Sequence, residues 1–282
     1  MSTRTPTPTP TATPGAASTP AAAAGPRKAR SGAATTVATV VLVLLAWYLL
    51  TTVWGVISAA RLPQPVEVWQ ALRQIAVEGY SNGRLHEHAL RSIGLVTLGF
   101  GVASSCGVLL GLAMGANRRV EALVNPVFLL LRPIPPLAWI PLAIVWLGLG
   151  DAAKVMVIFV SAFVPAVINS FTGVRQIERP IYEAAAMLNV RGLRLWREVL
   201  VPGALPSIFT GLRLSLQASW TTLVAAELVG AIAGLGQILN QAAQDIYPAM
   251  ILVGMVSVAV CGWLMTLALG WVERRTMPWR TP

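Results

Sequence analysis

The chain has 282 residues, of which 55% are hydrophobic and only 11% are charged, and its mean hydropathy is +0.67. Soluble domains carry roughly a quarter charged residues, so this composition excludes an ordinary soluble enzyme and indicates a protein of the lipid bilayer. The formal net charge of +10 would suggest a nucleic-acid partner in a soluble protein. In a membrane protein it must first be compared with the distribution of Lys and Arg between the loops.

The N-terminal segment, residues 1–30, is built mainly from Thr, Pro, Ala and Gly. Because such a composition buries too little apolar surface to order a chain, we predict a disordered cytoplasmic tail, followed by a transmembrane domain over residues 31–282. The uncharged run 33–60 is longer than the roughly 7–15 apolar residues of a signal peptide. We therefore interpret it as a first span and not as a leader cleaved after Ser58–Ala60.

Five further apolar segments follow, and each is long enough to cross about 30 Å of hydrocarbon as a helix. Alternating strand patterns typical of a membrane barrel are absent from the sequence. The predicted fold class is therefore an all-α polytopic membrane protein with six transmembrane helices. The five segments are 92–117, 133–150, 155–174, 206–231 and 246–272.

The distribution of Lys and Arg predicts the orientation of these spans. With a cytoplasmic N-terminus, the tails and loops on the cytoplasmic side hold 15 of these residues and those on the other side hold five, while Arg213 lies within a span. Cytoplasmic loops of membrane proteins are enriched in Lys and Arg, so we expect both termini in the cytoplasm. This bias accounts for the net charge without a nucleic-acid partner.

Residues that could support catalysis or metal binding are few. Neither Lys28 nor Lys154 follows a glycine, so a Walker A phosphate-binding loop is excluded. His86 and His88 could bind a metal, but no third ligand is evident nearby, and we interpret them as part of a solvated segment that leads into the second span. We predict no catalytic residue, no metal site and no cofactor.

The second span carries a small residue at every fourth position: Gly99, Ala103, Gly107, Gly111 and Gly115. Positions four apart share one face of a helix, and small side chains let a second helix approach closely. The pattern predicts close helix packing, with a pathway-lining face as the alternative.

A proline cluster at residues 132–136 cannot form a regular helix interior. It is either a break within a helix that lines a cavity or a simple helix boundary. We favour the boundary, because residues 133–150 are just long enough to span the membrane alone.

The loop over residues 175–205 is a polar helical insert between the fourth and fifth spans. Pro180 suits a first helical turn, Glu183 places negative charge near the helix N-terminus, and Asn189 tolerates the left-handed conformation that ends a helix. A second short helix is predicted from near Gly192 to before Pro202. From these residues alone the insert is a docking element for a partner, an interfacial helix pair on anionic lipid, or a solvated loop.

A family resemblance distinguishes these alternatives. Glu183-Ala184-Ala185, then Asn189, Val199 and Val201-Pro202, resembles the EAA motif of ABC importer permeases, which reads EAA, three residues, Gly, nine residues, Ile, one residue, Leu-Pro. The spacing matches throughout, with Asn in place of Gly and valines in place of Ile and Leu. The resemblance extends from about residue 90 to the C-terminus and is closest to the taurine permeases of the nitrate, sulfonate and taurine group. It is carried by residues 131–150, 202–216, 220–230 and 277–280.

This resemblance implies a type I ABC importer permease fold with cytoplasmic coupling helices, in the bacterial inner (plasma) membrane. It implies a transport subunit that is not itself an enzyme and translocates a small anion by alternating access, with taurine or an alkanesulfonate first and nitrate or another small anion as the alternative. The implied partners are a second copy of the chain in a homodimer, two ABC ATPase subunits that bind ATP, and a periplasmic solute-binding protein.

Ten residues are candidate functional positions under this resemblance. Arg213 and Trp220 could line the pathway, and Glu227 and Gln237 could close an outer gate. Each has an alternative role: Trp220 could pack in the core, Arg213 could extend from a helix end to the interface, and Glu227 could contact headgroup water. The expected contacts with the ATPase are Glu183, Ala184, Ala185, Asn189, Arg191 and Gly192.

Two other classes of protein share six spans. A secondary transporter would be expected to carry midplane carboxylates or an inverted repeat, and neither is apparent in the sequence. A membrane anchor without ATPase coupling would give the 175–205 insert no transport role.

Overall fold

The computed structural model describes residues 30–54 and 61–279, so the predicted tail and the Ser58–Ala60 site lie outside the described residues except for Arg30. The described residues are helical, and their only β-type pairing is an isolated bridge between Tyr80 and Gly83. The helices are α1 Arg30–Tyr48, α2 Pro65–Val77, α3 Leu85–Ala116, α4 Arg118–Leu131, α5 Ile140–Leu147, α6 Asp151–Arg175, α7 Arg179–Met187, α8 Leu193–Leu195, α9 Val201–Gly230, α10 Leu235–Gln244 and α11 Pro248–Thr276.

The described residues divide into two units, with the boundary between Trp47 and Tyr48. The described part of the first unit belongs to α1, which continues as a π-helical turn at Leu49–Val53. This apolar segment contains a candidate membrane span at Thr35–Val53. All other helices belong to the second unit.

The centre of the second unit is formed by α3, α6 and α9, which pack side by side. A Cβ atom added at Gly111 of α3 would lie 2.5 Å from the Val167 carbonyl oxygen of α6. On the other side of α6, a Cβ atom at Gly211 of α9 would lie 2.6 Å from the Cβ of Asn169. The close packing predicted for the second span is confirmed, because its small residues let the backbones meet.

The third predicted span, residues 133–150, differs from the expectation. The helices Arg118–Leu131 and Pro136–Leu147 are separated by a short break and bent by 84° to each other. The preference for a simple boundary before a complete span is therefore wrong: three prolines within 133–136 remove backbone donors, and the following helix is too short to cross a bilayer alone. Five described helices are long and apolar enough to span a membrane, and a sixth span exists if the bent pair counts as one.

The second short helix predicted in the 175–205 loop also differs. Residues Leu193–Gly230 form one continuous helical stretch of 38 residues, so no separate helix ends before Pro202. A π-helical turn at Trp196–Leu200 precedes the proline and connects α8 to α9. Because Pro202 lacks an N–H group, this wider turn accommodates the lost hydrogen bond without ending the helix.

Candidate functional site

The α7 helix ends in a well-formed turn at Asn189. Its φ angle is +55°, and its N–H donates to the carbonyl of Ala186 at 3.0 Å. The N–H of Val190 donates to the carbonyl of Ala185 at 2.9 Å. These two bonds form the Schellman motif, in which a left-handed residue satisfies the last carbonyls of a helix. The predicted helix end at Asn189 is confirmed.

Most of the predicted ATPase contacts lie on the surface of this turn. Glu183, Ala184, Asn189, Arg191 and Gly192 are exposed. Ala185 differs, since it is only 6% exposed and its side chain faces the bundle. A partner that approaches α7 would meet Ala184 and its exposed neighbour, residue 186, instead.

Large exposed apolar side chains follow Glu183 in the chain, at the end of α7 and at the start of α8. Met187, Leu188 and Leu193 are 76% to 83% exposed. An exposed apolar surface with charged neighbours is typical of a protein interaction site. Tyr182 holds α7 against α6 from the opposite side, and partial burial raises the pKa of its phenol.

At the other end of the central helices, Glu227 is completely buried. Its carboxylate accepts hydrogen bonds from the Ser92 hydroxyl at 2.9 Å and from the backbone N–H of Gly236 at 2.7 Å. The predicted association of Glu227 with residues 234–241 is thus present, but the carboxylate contacts no water-accessible surface. A carboxylate in this position joins α3, α9 and the start of α10.

His88 is part of the same polar network and was not predicted to be. It is 1% exposed, so the expectation of a solvated segment is wrong for this residue. Its Nδ1 accepts the N–H of Gly234 at 3.0 Å, and its Nε2 lies 3.1 Å from the Tyr80 carbonyl oxygen. The Ser92 hydroxyl accepts the N–H of Leu235 at 2.9 Å. The residues are more than 140 positions apart, and no local sequence signal links them.

The far end of α10 is tied to α2 and to the connection between α2 and α3. The Tyr80 hydroxyl donates to the Asp245 carboxylate, and the Tyr247 hydroxyl donates to the Gln74 side-chain oxygen at 3.2 Å. Desolvation and the neighbouring Asp245 carboxylate raise the pKa of Tyr80. The short helix α10 is therefore held at both ends by polar contacts.

The remaining candidates fall into two places. Gln237 is half-buried in the first turn of α10, and its side-chain oxygen has no hydrogen-bond partner among the described residues. Arg213 and Trp220 both line a cavity of about 510 Å³ between α9 and α11. The structure thus brings Arg213 and Trp220 together and separates them from the buried Glu227.

Within residues 30–54 and 61–279, no group of three or more His, Cys, Asp or Glu side chains is arranged to hold a metal ion.

Comparison with known proteins decides the family. Residues 106–278 match the family model described as binding-protein-dependent transport system inner membrane component. The chain belongs to this family. Membership makes it a multi-pass permease subunit of a binding-protein-dependent ABC importer.

Two relatives of this permease illustrate its place in the family. It is 34% identical to the taurine transport system permease protein TauC of Escherichia coli (strain K12), over 86% of this chain and 88% of the relative. It is also 34% identical to the putative aliphatic sulfonates transport permease protein SsuC of Bacillus subtilis (strain 168), over 80% of each chain.

The fold of this permease matches a solved transporter. The MetNI methionine ABC transporter in an inward-facing conformation aligns with a TM-score of 0.59 and 20% identity, covering 68% of this chain and 95% of the other. This likeness shows the predicted permease fold.

Proposed function

We propose that this permease translocates a small organic sulfonate, taurine or a related alkanesulfonate, into the cytoplasm by ATP-driven alternating access. The printed names of TauC and SsuC, at 34% identity over most of the chain, support this substrate class. Nitrate or another small anion is the alternative. In this proposal both termini are cytoplasmic, as the distribution of Lys and Arg favours.

The observation that carries the proposed ATP coupling is the exposed turn at the end of α7. Its small residues and the carboxylate of Glu183 lie on the surface, and a rigid Schellman turn fixes their direction. We infer that two copies of the chain form the pore and that each α7 docks into a groove of one ATPase subunit. A cationic side chain of the ATPase would pair with Glu183.

The proposed cycle moves the spans between inward-open and outward-open states. ATP-driven closure of the ATPase pair acts through α7 on α6 and α9, which it connects directly along the chain. Such a two-state change is biased by ATP and by the loaded binding protein. We place Glu227 and Gln237 at the outer gate, because α10 is anchored there to both α3 and α9.

Reconstitution in proteoliposomes with the ATPase and the binding protein tests the coupling. Glu183→Lys is expected to lower ATP-driven taurine uptake about tenfold or more, because the proposed charge pair between Glu183 and the ATPase would become a repulsive contact. Glu78→Lys is the control, since Glu78 is also an exposed glutamate and lies at the opposite end of the bundle.

The two variants separate coupling from folding. The control is expected to retain wild-type uptake, and both variants are expected to insert into the membrane in normal amounts. Normal uptake by Glu183→Lys would refute the coupling role. Taurine uptake by the permease without an ATPase would instead identify a secondary transporter.

A further inference from the structure

The α9 helix presents a polar stripe on a surface that would otherwise be apolar. Thr210, Arg213, Gln217 and Thr221 recur at helical spacing, and all four are exposed. Polar and charged side chains within a membrane span are costly when they face lipid. This face is therefore suited to a water-filled cavity and not to hydrocarbon.

The cavity of about 510 Å³ lies along this stripe, with α11 as its opposite wall. Its volume is in the range of ligand pockets, about 300–1,000 Å³. Arg213 lies about 18 Å along the helix from Val201, the residue at which α9 begins next to the α7 loop. The cavity thus begins near the middle of α9, at Arg213, and extends to Val224, away from the α7 end.

Three side chains that line this cavity carry N–H donors. Arg213 offers a forked guanidinium, which suits an oxyanion, and Gln217 offers a side-chain amide. Trp220 is 6% exposed, and its indole N–H has no hydrogen-bond partner among the described residues. The rest of the lining is largely aliphatic, so the cavity combines anion recognition with apolar walls.

Arg213 lies at the α7-side edge of the cavity and is paired with a carboxylate just beyond the residues that line it. Glu273 of α11 accepts a hydrogen bond from the Arg213 guanidinium. The Glu273 side chain is only 15% exposed, whereas that of Arg213 is 53% exposed. A simple anion that binds Arg213 in place of Glu273 would leave this largely buried carboxylate without a cation, which is unfavourable. A zwitterion avoids this cost, because its ammonium group can replace the guanidinium as the partner of Glu273.

We propose that the Arg213–Glu273 pair is a substrate subsite that selects an aminoalkanesulfonate, with the sulfonate on Arg213 and the ammonium on Glu273. The inference rests on the proposed transport of sulfonates and assigns the zwitterionic members of that class to this cavity. The aliphatic residues that line the cavity next to Arg213 would contact the short alkyl chain. Nitrate has neither an alkyl chain nor a cationic group and fits the subsite poorly.

Equilibrium binding to the permease–ATPase complex in nanodiscs, without the binding protein, tests the subsite. The probes are taurine, its des-amino analogue ethanesulfonate, and nitrate. The wild-type complex is expected to bind taurine about tenfold or more tightly than either of the others, since the charge-assisted contact with Glu273 is made by taurine alone.

Three variants test whether Arg213 binds the sulfonate and Glu273 binds the ammonium group of the substrate. Arg213→Gln is expected to weaken taurine and ethanesulfonate binding about tenfold or more, whereas Glu273→Gln weakens taurine binding alone. Arg91→Gln is the control, because Arg91 is an arginine of similar exposure that is paired with Asp151 at the other end of the bundle. The control is expected to bind all three probes as the wild type does.

The outcomes separate this inference from the proposed function. Unchanged taurine binding by Arg213→Gln, or equal loss of taurine and ethanesulfonate in Glu273→Gln, would overturn the subsite. Equal wild-type affinity for all three probes would also overturn it, with no dependence on the folding of a variant. Absence of ATP-driven sulfonate uptake by the wild-type transporter would refute the proposed function itself.

Discussion

The imidazole of His88 in α3 accepts a hydrogen bond from the backbone N–H of Gly234, 146 residues later in the chain, at 3.0 Å. Together with the bonds from Leu235 to Ser92 and from Gly236 to Glu227, it satisfies three successive amides at the start of α10. The first amides of a helix have no partner within the helix, so side chains must supply one where water is excluded. A histidine, a serine and a glutamate from two spans do so here.

Removal of the imidazole tests this network. His88→Ala is expected to lower the free energy of unfolding by about 1–3 kcal/mol, because the Gly234 amide loses its acceptor in a buried position. His88→Asn places an oxygen near the position of Nδ1 and is expected to recover part of the loss. Thermal unfolding in detergent measures both, with the exposed His86→Ala as the control. Equal melting temperatures for His86→Ala and His88→Ala would contradict the network.

Glycine is required at position 236 by the closeness of α9. A Cβ atom there would lie 2.6 Å from the Cβ of Glu227 and 2.8 Å from the Val224 carbonyl oxygen. Gly236→Ala is therefore expected to cost about 1–3 kcal/mol of stability. Gly150→Ala meets no atom within 4 Å and is expected to stay within about 0.5 kcal/mol of the wild type. Urea or heat unfolding of the two variants measures this difference in stability. A Gly236→Ala variant as stable as the wild type would show that α10 can shift away from α9 to relieve the clash.

Two glycines of α3 are expected to respond to alanine with opposite signs. At Gly111 a Cβ atom would lie 2.5 Å from the backbone oxygen of Val167, so Gly111→Ala is expected to destabilise the protein by about 1–3 kcal/mol. At Gly101 there is open space, and alanine is expected to gain up to about 1 kcal/mol through helix propensity. The melting temperature of Gly111→Ala is expected to fall below that of the wild type, and that of Gly101→Ala is expected to rise above it. A loss of stability in both variants would contradict the expectation that alanine at position 101 stabilises α3.

The turn after α7 is expected to depend on the backbone freedom of residue 189. Asn189→Gly keeps the left-handed conformation at no steric cost, whereas Asn189→Val strains it by about 1–2 kcal/mol. ATPase stimulation by the loaded binding protein should therefore persist in the glycine variant and fall in the valine variant. Full stimulation in the valine variant would mean that the turn geometry does not matter for coupling.

Local features of the sequence were predicted well because their physics is local. The left-handed turn at Asn189 follows from residue type, and the packing face of α3 follows from a four-residue spacing. Errors arose where two local rules compete. Pro202 was expected to end a helix, yet a π-helical turn carries the helix past it. Residues 133–150 were expected to form a complete span, yet the helix after the prolines is only the second part of a bent pair with Arg118–Leu131.

By itself the sequence determined that this chain is a helical membrane protein, where most of its spans lie, and that an EAA-like loop connects two of them. Apolar length and residue spacing act within one helix and are readable without the fold. Only the tertiary structure decided that His88 and Ser92 meet the start of α10, that Ala185 faces inward, and that Arg213 pairs with Glu273 beside a cavity. Those contacts join residues far apart in the chain, and helix packing alone brings them within hydrogen-bond distance.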